Sequence, residues 1–491
     1  MALGTVDYGL MGLVGGLMGF VTFLNSVLAN ANARFYAVAI GATNAASDKS
    51  VALEECRRWF NTALCIHLVV PVVLMLIGYP LGATAIEHWL TIPLDRIEAC
   101  IWVFRFSCIT CFLAMVGVPF SAMYGAKQYI AELTIYSFVT TTLNAGMLYY
   151  MVMHPGVWLT RFACWTCLLG TIPQLIICIR AACIFPECRI RVSYMGDIWR
   201  MKRVGAFSGW QFVGFVVNIL KSNGMTVVVN KFFGAAMNAA QAIGTTVMSH
   251  CATLSGAMQG AFNPVIIQSY GAGDYEKMNR FILRSCKFNV LLSVFFMIPI
   301  ALELPEVMRI WLRNPPACAV GLCYCAMMHH VVSSFTMGHQ VSIDAVGRLA
   351  PYYKIAGPIG LSALPFAIMV TFLWHNVYIM MIVVVVVEIL LSICKLHFAS
   401  KFAGASKNAW VQEVLVPLAI LIMATIGIGY LPHLFMPQTF ARVCTTLCVS
   451  EMIFIPIVWF RVLTNDERRF VRDRLVLKIR KVFSGSVVCY V

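Results

Sequence analysis

The sequence predicts an all-α membrane protein that crosses the bilayer many times. Three observations predict it. Sixty per cent of the 491 residues are hydrophobic and 12% are charged, far from the balance of a soluble domain. The mean hydropathy of +0.82 comes from separate apolar runs, each long enough to cross about 30 Å of hydrocarbon. The second half of the chain also repeats the start of the first, a mark of transporter folds.

Thirteen apolar runs stand out. They cover 8–33, 59–83, 99–122, 130–153, 157–184, 205–230, 236–262, 285–304, 318–341, 351–373, 376–396, 411–431 and 439–462. A buried soluble core explains any one run but not thirteen in series. No short apolar stretch with a small-residue cleavage site leads the chain, so a cleavable secretory signal is not expected.

The repeat relates residues 1–61 to part of 205–291. Aligning Leu3-Gly4 with Phe233-Gly234 and running forward without a gap pairs Met18 with Met248, Leu24 with Leu254 and Ala31 with Ala261. Gly41-Ala42 then meets Gly271-Ala272, Leu53 meets Leu283, and Cys56-Arg57 meets Cys286-Lys287. Identities are few, but glycines, apolar runs and basic ends agree. Residues 3–64 and 233–294 are expected to share one helix–loop–helix geometry, with Gly41 and Gly271 at equivalent turns. Running backward, the span Gly205 to Asn230 has no partner ahead of residue 1. The first copy is therefore expected to lack its opening helix, with a start site 25–40 residues upstream. Asn25 and Asn32 would then meet lipid, where an unsatisfied polar group costs several kcal/mol.

Lys and Arg placement gives the expected topology. The tail after Val462 carries Arg468, Arg469, Arg472, Arg474, Lys478, Arg480 and Lys481, which assigns it to the cytoplasm. Arg180 to Arg203 and Asp274 to Lys287 are cation-rich in step with it. The loop Thr84 to Glu98 has one Arg and three acids. Met1 then falls outside, which again asks for one more upstream helix. The net charge of +15 mostly reflects the basic loops, so nucleic acid is not an expected partner.

The nineteen cysteines are scattered through apolar spans, where Cys behaves as a small hydrophobe. Cys164 and Cys167 are spaced C-x-x-C, but no second pair or nearby His accompanies them, so no metal and no cofactor is expected. His329-His330 reads as packing or interface. There is no phosphate-binding glycine loop, no H-E-x-x-H and no G-x-S-x-G. Loops reach only about 20–30 residues, too short for the extramembrane domain that membrane glycosyltransferases and polymerases usually carry. A transporter is expected rather than an enzyme.

Several segments resemble the O-antigen (lipid-linked oligosaccharide) flippase branch of the multidrug/oligosaccharidyl-lipid/polysaccharide exporter superfamily. They are Leu3-Gly-Thr-Val-Asp-Tyr-Gly9 with Val14-Gly-Gly16, Ala33-Arg-Phe35 with Gly41, Val118-Pro-Phe120 and Phe185-Pro-Glu-Cys-Arg189. Asn230-Lys-Phe-Phe-Gly234, Asn238-Ala-Ala240, Ala261-Phe-Asn-Pro264 and Gln268-Ser-Tyr-Gly-Ala-Gly-Asp274 follow. The resemblance implies two six-helix lobes and two further helices, fourteen in all. On this chain it implies a first lobe at 1–184, a basic linker at 185–204, a second lobe at 205–402, two extra helices at 403–463 and a basic tail at 464–491. It further implies a bacterial inner-membrane protein of surface polysaccharide (lipopolysaccharide) assembly. Such a protein flips undecaprenyl-pyrophosphate-linked oligosaccharide outward by alternating access. Membrane lipids and other polysaccharide-assembly membrane proteins would be its partners.

Such a cargo has an anionic pyrophosphate, a hydroxyl-rich glycan and a greasy tail. Ionisable residues inside a membrane are costly and functional by default. Lys221 sits mid-span, flanked by Asn218, Ser222 and Asn223. Three readings stay open: a ligand facing a cavity, an interhelical ion pair, or a misplaced span. Arg34 and Arg105 are further phosphate candidates, each equally readable as an interfacial anchor. Asn25, Asn218, Ser249, Thr253 and Asn263 are candidates to line a cavity, or to glue helices together. Glu388 and Glu451 are the clearest membrane acids. Glu388 would pair with a neighbouring helix or couple an ion. A cation-coupled multidrug antiporter of the same fold and a polysaccharide polymerase or ligase are the alternative functions.

Overall fold

A computed structural model describes residues 5–46, 48–154, 156, 159–312, 314–469 and 472–473. The motif start Leu3-Gly4, the position of Met1 and the tail cations Arg474, Lys478, Arg480 and Lys481 lie outside the described residues. The chain is all-helical, with no strand among the described residues. Helix α1 spans Thr5–Ala45, α2 Lys49–Thr84, α3 Ile97–Ala126, α4 Ile130–Met153, α5 Leu159–Ile184 and α6 Ile198–Phe233. Then come α7 Ala235–Gly271, α8 Tyr275–Leu302, α9 Leu304–Leu312, α10 Ala319–Ser334, α11 Met337–Val346 and α12 Leu349–Trp374. The last are α13 Val377–Ala403, α14 Lys407–Trp410, α15 Val416–Gly429, α16 Pro432–Phe435 and α17 Phe440–Ile457.

Every one of the thirteen predicted runs falls on helix over nearly its whole described length. The run 318–341 is shared by α10 and α11. The run 411–431 is carried by α15 and the wider π-turn Val411–Leu415 before it. Among the described residues nine helices are long and apolar enough to cross a membrane, and ten if α1, bent by 52° after Gly16, counts as one span. The chain is a multi-pass membrane protein. The expected linker 185–204 is shorter than predicted, because α6 already begins at Ile198.

The helices form two compact units. The first comprises Met1–Val216, Gly260–Met278 and Val341–Tyr353, the second Val217–Gln259, Asn279–Gln340 and Lys354–Val491. In the first unit α3 packs on α1, α2 and α5, with Val103, Phe104, Leu10, Val14, Ile86 and Leu159 at the core. Asn32, expected to meet lipid, is instead 1% exposed. Its Nδ2 lies 2.8 Å from His67 Nε2, and His67 Nδ1 lies 2.8 Å from the Met115 carbonyl. This buried chain stitches α1, α2 and α3, and the polar groups that lipid would strand are satisfied by one another. Asn25 is half-buried, and among the described residues its Oδ1 has no hydrogen-bond partner.

The repeat copies differ at their turns. In the second, α7 ends in a Schellman cap. Asp274 N donates to Ser269 O, Gly273 N donates to Tyr270 O, and Gly273 adopts φ +74°. Its counterpart in the first copy is Thr43, which lacks the glycine's freedom, and α1 runs on to Ala45. Gly41 is therefore not at a turn, contrary to expectation. It lies inside α1, while Gly271 closes α7. The two do share a place in another sense. A Cβ on Gly41 would sit 2.0 Å from the Gln268 carbonyl oxygen, and one on Gly271 would sit 2.2 Å from that of Val38. Gln268 is the repeat partner of Val38. Helices α1 and α7 thus cross backbone to backbone, each copy using the same pair of positions.

In the second unit, buried ion pairs tie the C-terminal helices to α8. Between α8 and α9, Glu303 is 1% exposed and accepts from Arg442 Nε at 3.1 Å and Nη2 at 2.9 Å, and from Thr446 Oγ1 at 2.7 Å. At the other end of α8, Lys287 Nζ reaches Glu467 at 3.0 Å. Glu467 also accepts from Thr464 N at 2.9 Å, a capping box T-x-x-E just past the last span. Burial alone would raise the Glu467 carboxyl. The Thr464 N–H and the Lys287 ammonium outweigh burial and hold it below its ordinary value. A carboxyl lowered in the folded state contributes stability above its unfolded pKa and loses it as pH falls through the folded value. Docking of residues 464–469 is thus expected to be firm at neutral pH and to loosen in acid. Glu467→Gln should cost about 1–3 kcal/mol at pH 7. Amide exchange at 464–469 checks both, and protection that is the same at low and neutral pH counts against the linkage.

Candidate functional site

The second unit contains a polar centre among apolar helices. Helix α13 is nearly continuous Val, Ile, Met and Leu through its first half, yet Glu388 lies on its buried face at 4% exposure. Lys395 follows seven residues on, two turns along one face. Its Nζ donates to Glu388 Oε1 at 3.1 Å. The other carboxylate oxygen is approached by Lys221 Nζ of α6 at 3.6 Å and by His329 Nε2 of α10 at 3.4 Å. Three helices thus converge on one carboxylate. The lysine side chains are only 12% and 11% exposed, so neither reaches bulk solvent freely.

A cavity of about 220 Å³ opens beside this centre. Lys221, Asn218, Ser222, Gln241, Thr245 and His329 supply its polar lining, and Met225, Met248, Leu322 and Met381 its apolar walls. Gln241 Oε1 is buried without a hydrogen-bond partner among the described residues, a free acceptor for a hydroxyl. Two lysines face one glutamate. With His329 neutral the cluster carries one net positive charge. An unbalanced charge in a low-dielectric interior favours an anion beside it.

Lys221 is therefore both of two things that sequence reasoning held apart: a partner in an interhelical ion pair and a wall of a cavity. Asn218 joins it there. The other candidates lie elsewhere. Arg34, in the first unit, donates from Nε to the Asp344 carbonyl at 2.8 Å and from Nη2 to those of Ala345 and Val346 at 3.0 and 3.2 Å. It caps the C-terminus of α11, where cations are favourable. Three main-chain carbonyls thus take up its Nε and Nη2. Gly347 makes room for it, with φ +79° and no side chain to meet the guanidinium. Arg34→Lys keeps the charge but not the planar fork, and is expected to cost about 1–2 kcal/mol. Thermal unfolding in detergent measures it. A variant as stable as the wild type would show the cap to be dispensable.

Arg105 donates from Nε to Tyr79 Oη at 3.0 Å and lies over the Trp102 ring. Ser249 and Thr253 are exposed on α7 and bond back to carbonyls of their own helix, at Thr246 and Ser249. Asn263 belongs to the first unit, in a cavity with Asn30, Arg34, Gln211 and Asp344. Glu451 is half-buried on α17, and its Oε2 has no hydrogen-bond partner among the described residues. Sequence reasoning missed Lys395 and read His329 as packing or interface. The Glu388–Lys395 spacing could have revealed the first.

The sequence matches no protein-family model and no curated protein at a significant level. Solved structures do match. A MATE protein in its bent conformation superposes with a TM-score of 0.67 at 15% identity, over 83% of this chain and 90% of the other. The fold is that of the MATE transporters. A multidrug resistance MATE transporter of the MOP superfamily in an outward-facing conformation gives 0.63 at 16% identity, over 82% and 89%. A MOP superfamily transporter from Pyrococcus furiosus, described as having a binding pocket of reverse polarity that suggests a different function, gives 0.62 at 15%, over 83% and 91%. At these identities the MATE-like fold is shared, and the side chains of the polar centre must be read on their own terms.

Proposed function

We propose that this chain is a membrane transporter with an anionic, amphipathic cargo, and that Lys221 reads the anionic group. The observation that carries this reading is the charge beside the second-unit cavity: a cluster of two lysines against one glutamate, whose Lys221 lines the cavity with amide and hydroxyl groups. A lipid-linked oligosaccharide meets that description. Its pyrophosphate would approach Lys221, its hydroxyls Gln241, Asn218 and Thr245, and its tail the methionine-rich side. On this reading the protein flips the lipid outward across the bacterial inner membrane. No bond is made or broken, and no catalytic residue is required.

The second reading is a cation-coupled multidrug antiporter. The fold neighbours favour it over the first, because one is described as a multidrug resistance transporter. Glu388 would then be the coupling carboxylate, with Lys221 and Lys395 holding the place of a cation between turnovers. The cavity charge weighs against a cationic drug, and the Pyrococcus furiosus neighbour is a described case of reversed pocket polarity in this fold.

Proteoliposomes distinguish the two. The anionic-cargo reading expects translocation of a fluorescent pyrophosphate-linked glycolipid by wild type. Lys221→Ala should lose it, and Lys221→Arg should keep part. Pumping of ethidium against a proton or sodium gradient, abolished by Glu388→Gln and indifferent to Lys221→Ala, would establish the antiporter instead.

A further inference from the structure

The first unit holds a second, larger cavity, about 770 Å³, that no part of the transport reading uses. It lies where α6 begins and where α11 gives way to α12. Trp59, Trp199 and Trp210 wall it, and Arg34, Arg203 and Arg348 line it. The Arg203 guanidinium stacks 4.0 Å from the centroid of the Trp199 ring. Glu55 also lines the cavity, but its carboxylate is held by Arg200. Arg34 is spent on the α11 carbonyls. Arg203 and Arg348 are exposed, and among the described residues neither has a hydrogen-bond or ion-pair partner. The first turn of α12, a 26-residue helix, contains no acid and forms part of the lining through Leu349 and Ala350. Two guanidinium groups without hydrogen-bond or ion-pair partners among the described residues, a helix N-terminus and aromatic walls make a site for a phosphate-bearing group.

The surroundings say where that phosphate comes from. Ile190, Val192, Ile198 and Trp199 are each more than half exposed, although they are large and apolar. Arg189, Arg191, Lys202 and Arg203 are interspersed with them and exposed too. Apolar and basic side chains alternating at the foot of a membrane helix suit the headgroup layer of an anionic bilayer. A soluble phosphate would need none of the apolar collar. The geometry points to a binding site for the headgroup of an anionic phospholipid, held by Arg203, Arg348 and the α12 N-terminus, at the end of the molecule that the charge rule assigns to the cytoplasm. The site shares no lining residue with the Lys221 cavity and stands whichever cargo is carried.

Binding to the purified full-length protein in neutral detergent tests this without any transport assay. Dioctanoyl phosphatidylglycerol is expected to bind at least tenfold more tightly than dioctanoyl phosphatidylcholine, by native mass spectrometry and thermal shift. The double variant Arg203→Gln/Arg348→Gln should lose at least tenfold in that affinity. Arg203→Lys/Arg348→Lys should keep most of it, and Lys407→Gln, at an exposed residue that does not line the cavity, should change nothing. Unchanged phosphatidylglycerol binding in the double Gln variant overturns the site. Glycerol phosphate binding as tightly as phosphatidylglycerol overturns the lipid as its source. If the double Gln variant does not fold, the salt dependence of wild-type binding decides. A fall in affinity between 50 and 500 mM salt supports the site, and indifference to salt overturns it.

Discussion

Replacing Glu388 by Gln is expected to lower the unfolding free energy by about 3–5 kcal/mol, because it removes one partner from a buried ionic cluster and strands the others. The amide would keep the shape and two hydrogen-bonding atoms. It would not keep the charge that Lys221 and Lys395 share at 3.6 and 3.1 Å. Both ammonium groups would then be buried without a counter-ion. The reverse substitution is milder. Lys221→Ala leaves Glu388 with Lys395 at 3.1 Å and His329 at 3.4 Å, so the carboxylate keeps company. Glu388→Gln should therefore destabilise more than Lys221→Ala, although each removes one side of the same contact. Adding Lys221→Met to Glu388→Gln should recover part of the loss. Denaturant unfolding in detergent measures all three. Equal stability of wild type and Glu388→Gln would show that the cluster is not formed in the protein. Equal losses for the two single variants would show that Lys395 does not share the carboxylate.

The order of those losses separates structure from function at Lys221. If the lysine served only to neutralise Glu388, its removal would disturb folding and transport together. A cargo ligand behaves otherwise, because Lys395 keeps the fold while the cavity loses its cation. The informative variant is thus the one that folds and does not transport.

The spans are legible in the sequence because a bilayer imposes a length on every apolar run. All thirteen predicted runs fall on helix for that reason. The register of the repeat is legible too, since the α1–α7 crossing uses Gly41 and Gly271, aligned positions. The helix ends are not, because one Schellman glycine at 273 stops α7 while Thr43 lets α1 continue. Long-range pairings are largely hidden. Lys221 and Glu388 both stand out as ionisable residues in apolar runs, yet nothing in a single sequence says that two residues so far apart in the chain meet. Glu303 and Arg442, 139 apart, give no such signal at all. Arg34 reads as a phosphate ligand or an interfacial anchor. Its partners are main-chain carbonyls, which no side-chain pattern advertises. Asn32 misleads for a similar reason, since His67 sits 35 residues away on the neighbouring helix.

Substituting either glycine of the α1–α7 crossing is expected to destabilise the first unit severely. At Gly41 a methyl group would meet Gln268 at 2.0 Å from its carbonyl oxygen, 2.7 Å from the carbonyl carbon and 2.9 Å from Cα. All three are main-chain atoms, so no rotamer change relieves the contact. The helices would have to separate by about 1–2 Å to restore ordinary van der Waals distance. Gly271 meets Val38 in the mirrored arrangement, at 2.2, 2.8 and 2.9 Å. Overpacking of this kind costs about 1–3 kcal/mol, and rigid backbone on both sides places Gly41→Ala and Gly271→Ala at the upper end or beyond. Gly41→Leu should prevent close approach outright. Because one crossing serves both glycines, the separation forced by the first substitution also makes room for the second. The double variant Gly41→Ala/Gly271→Ala is therefore expected to cost little more than either alone, with a coupling of about 1–3 kcal/mol in a double-mutant cycle. Unfolding midpoints of the four proteins give the cycle directly. Losses that simply add would mean that the two positions act independently. Singles as stable as wild type would mean that α1 and α7 do not cross here.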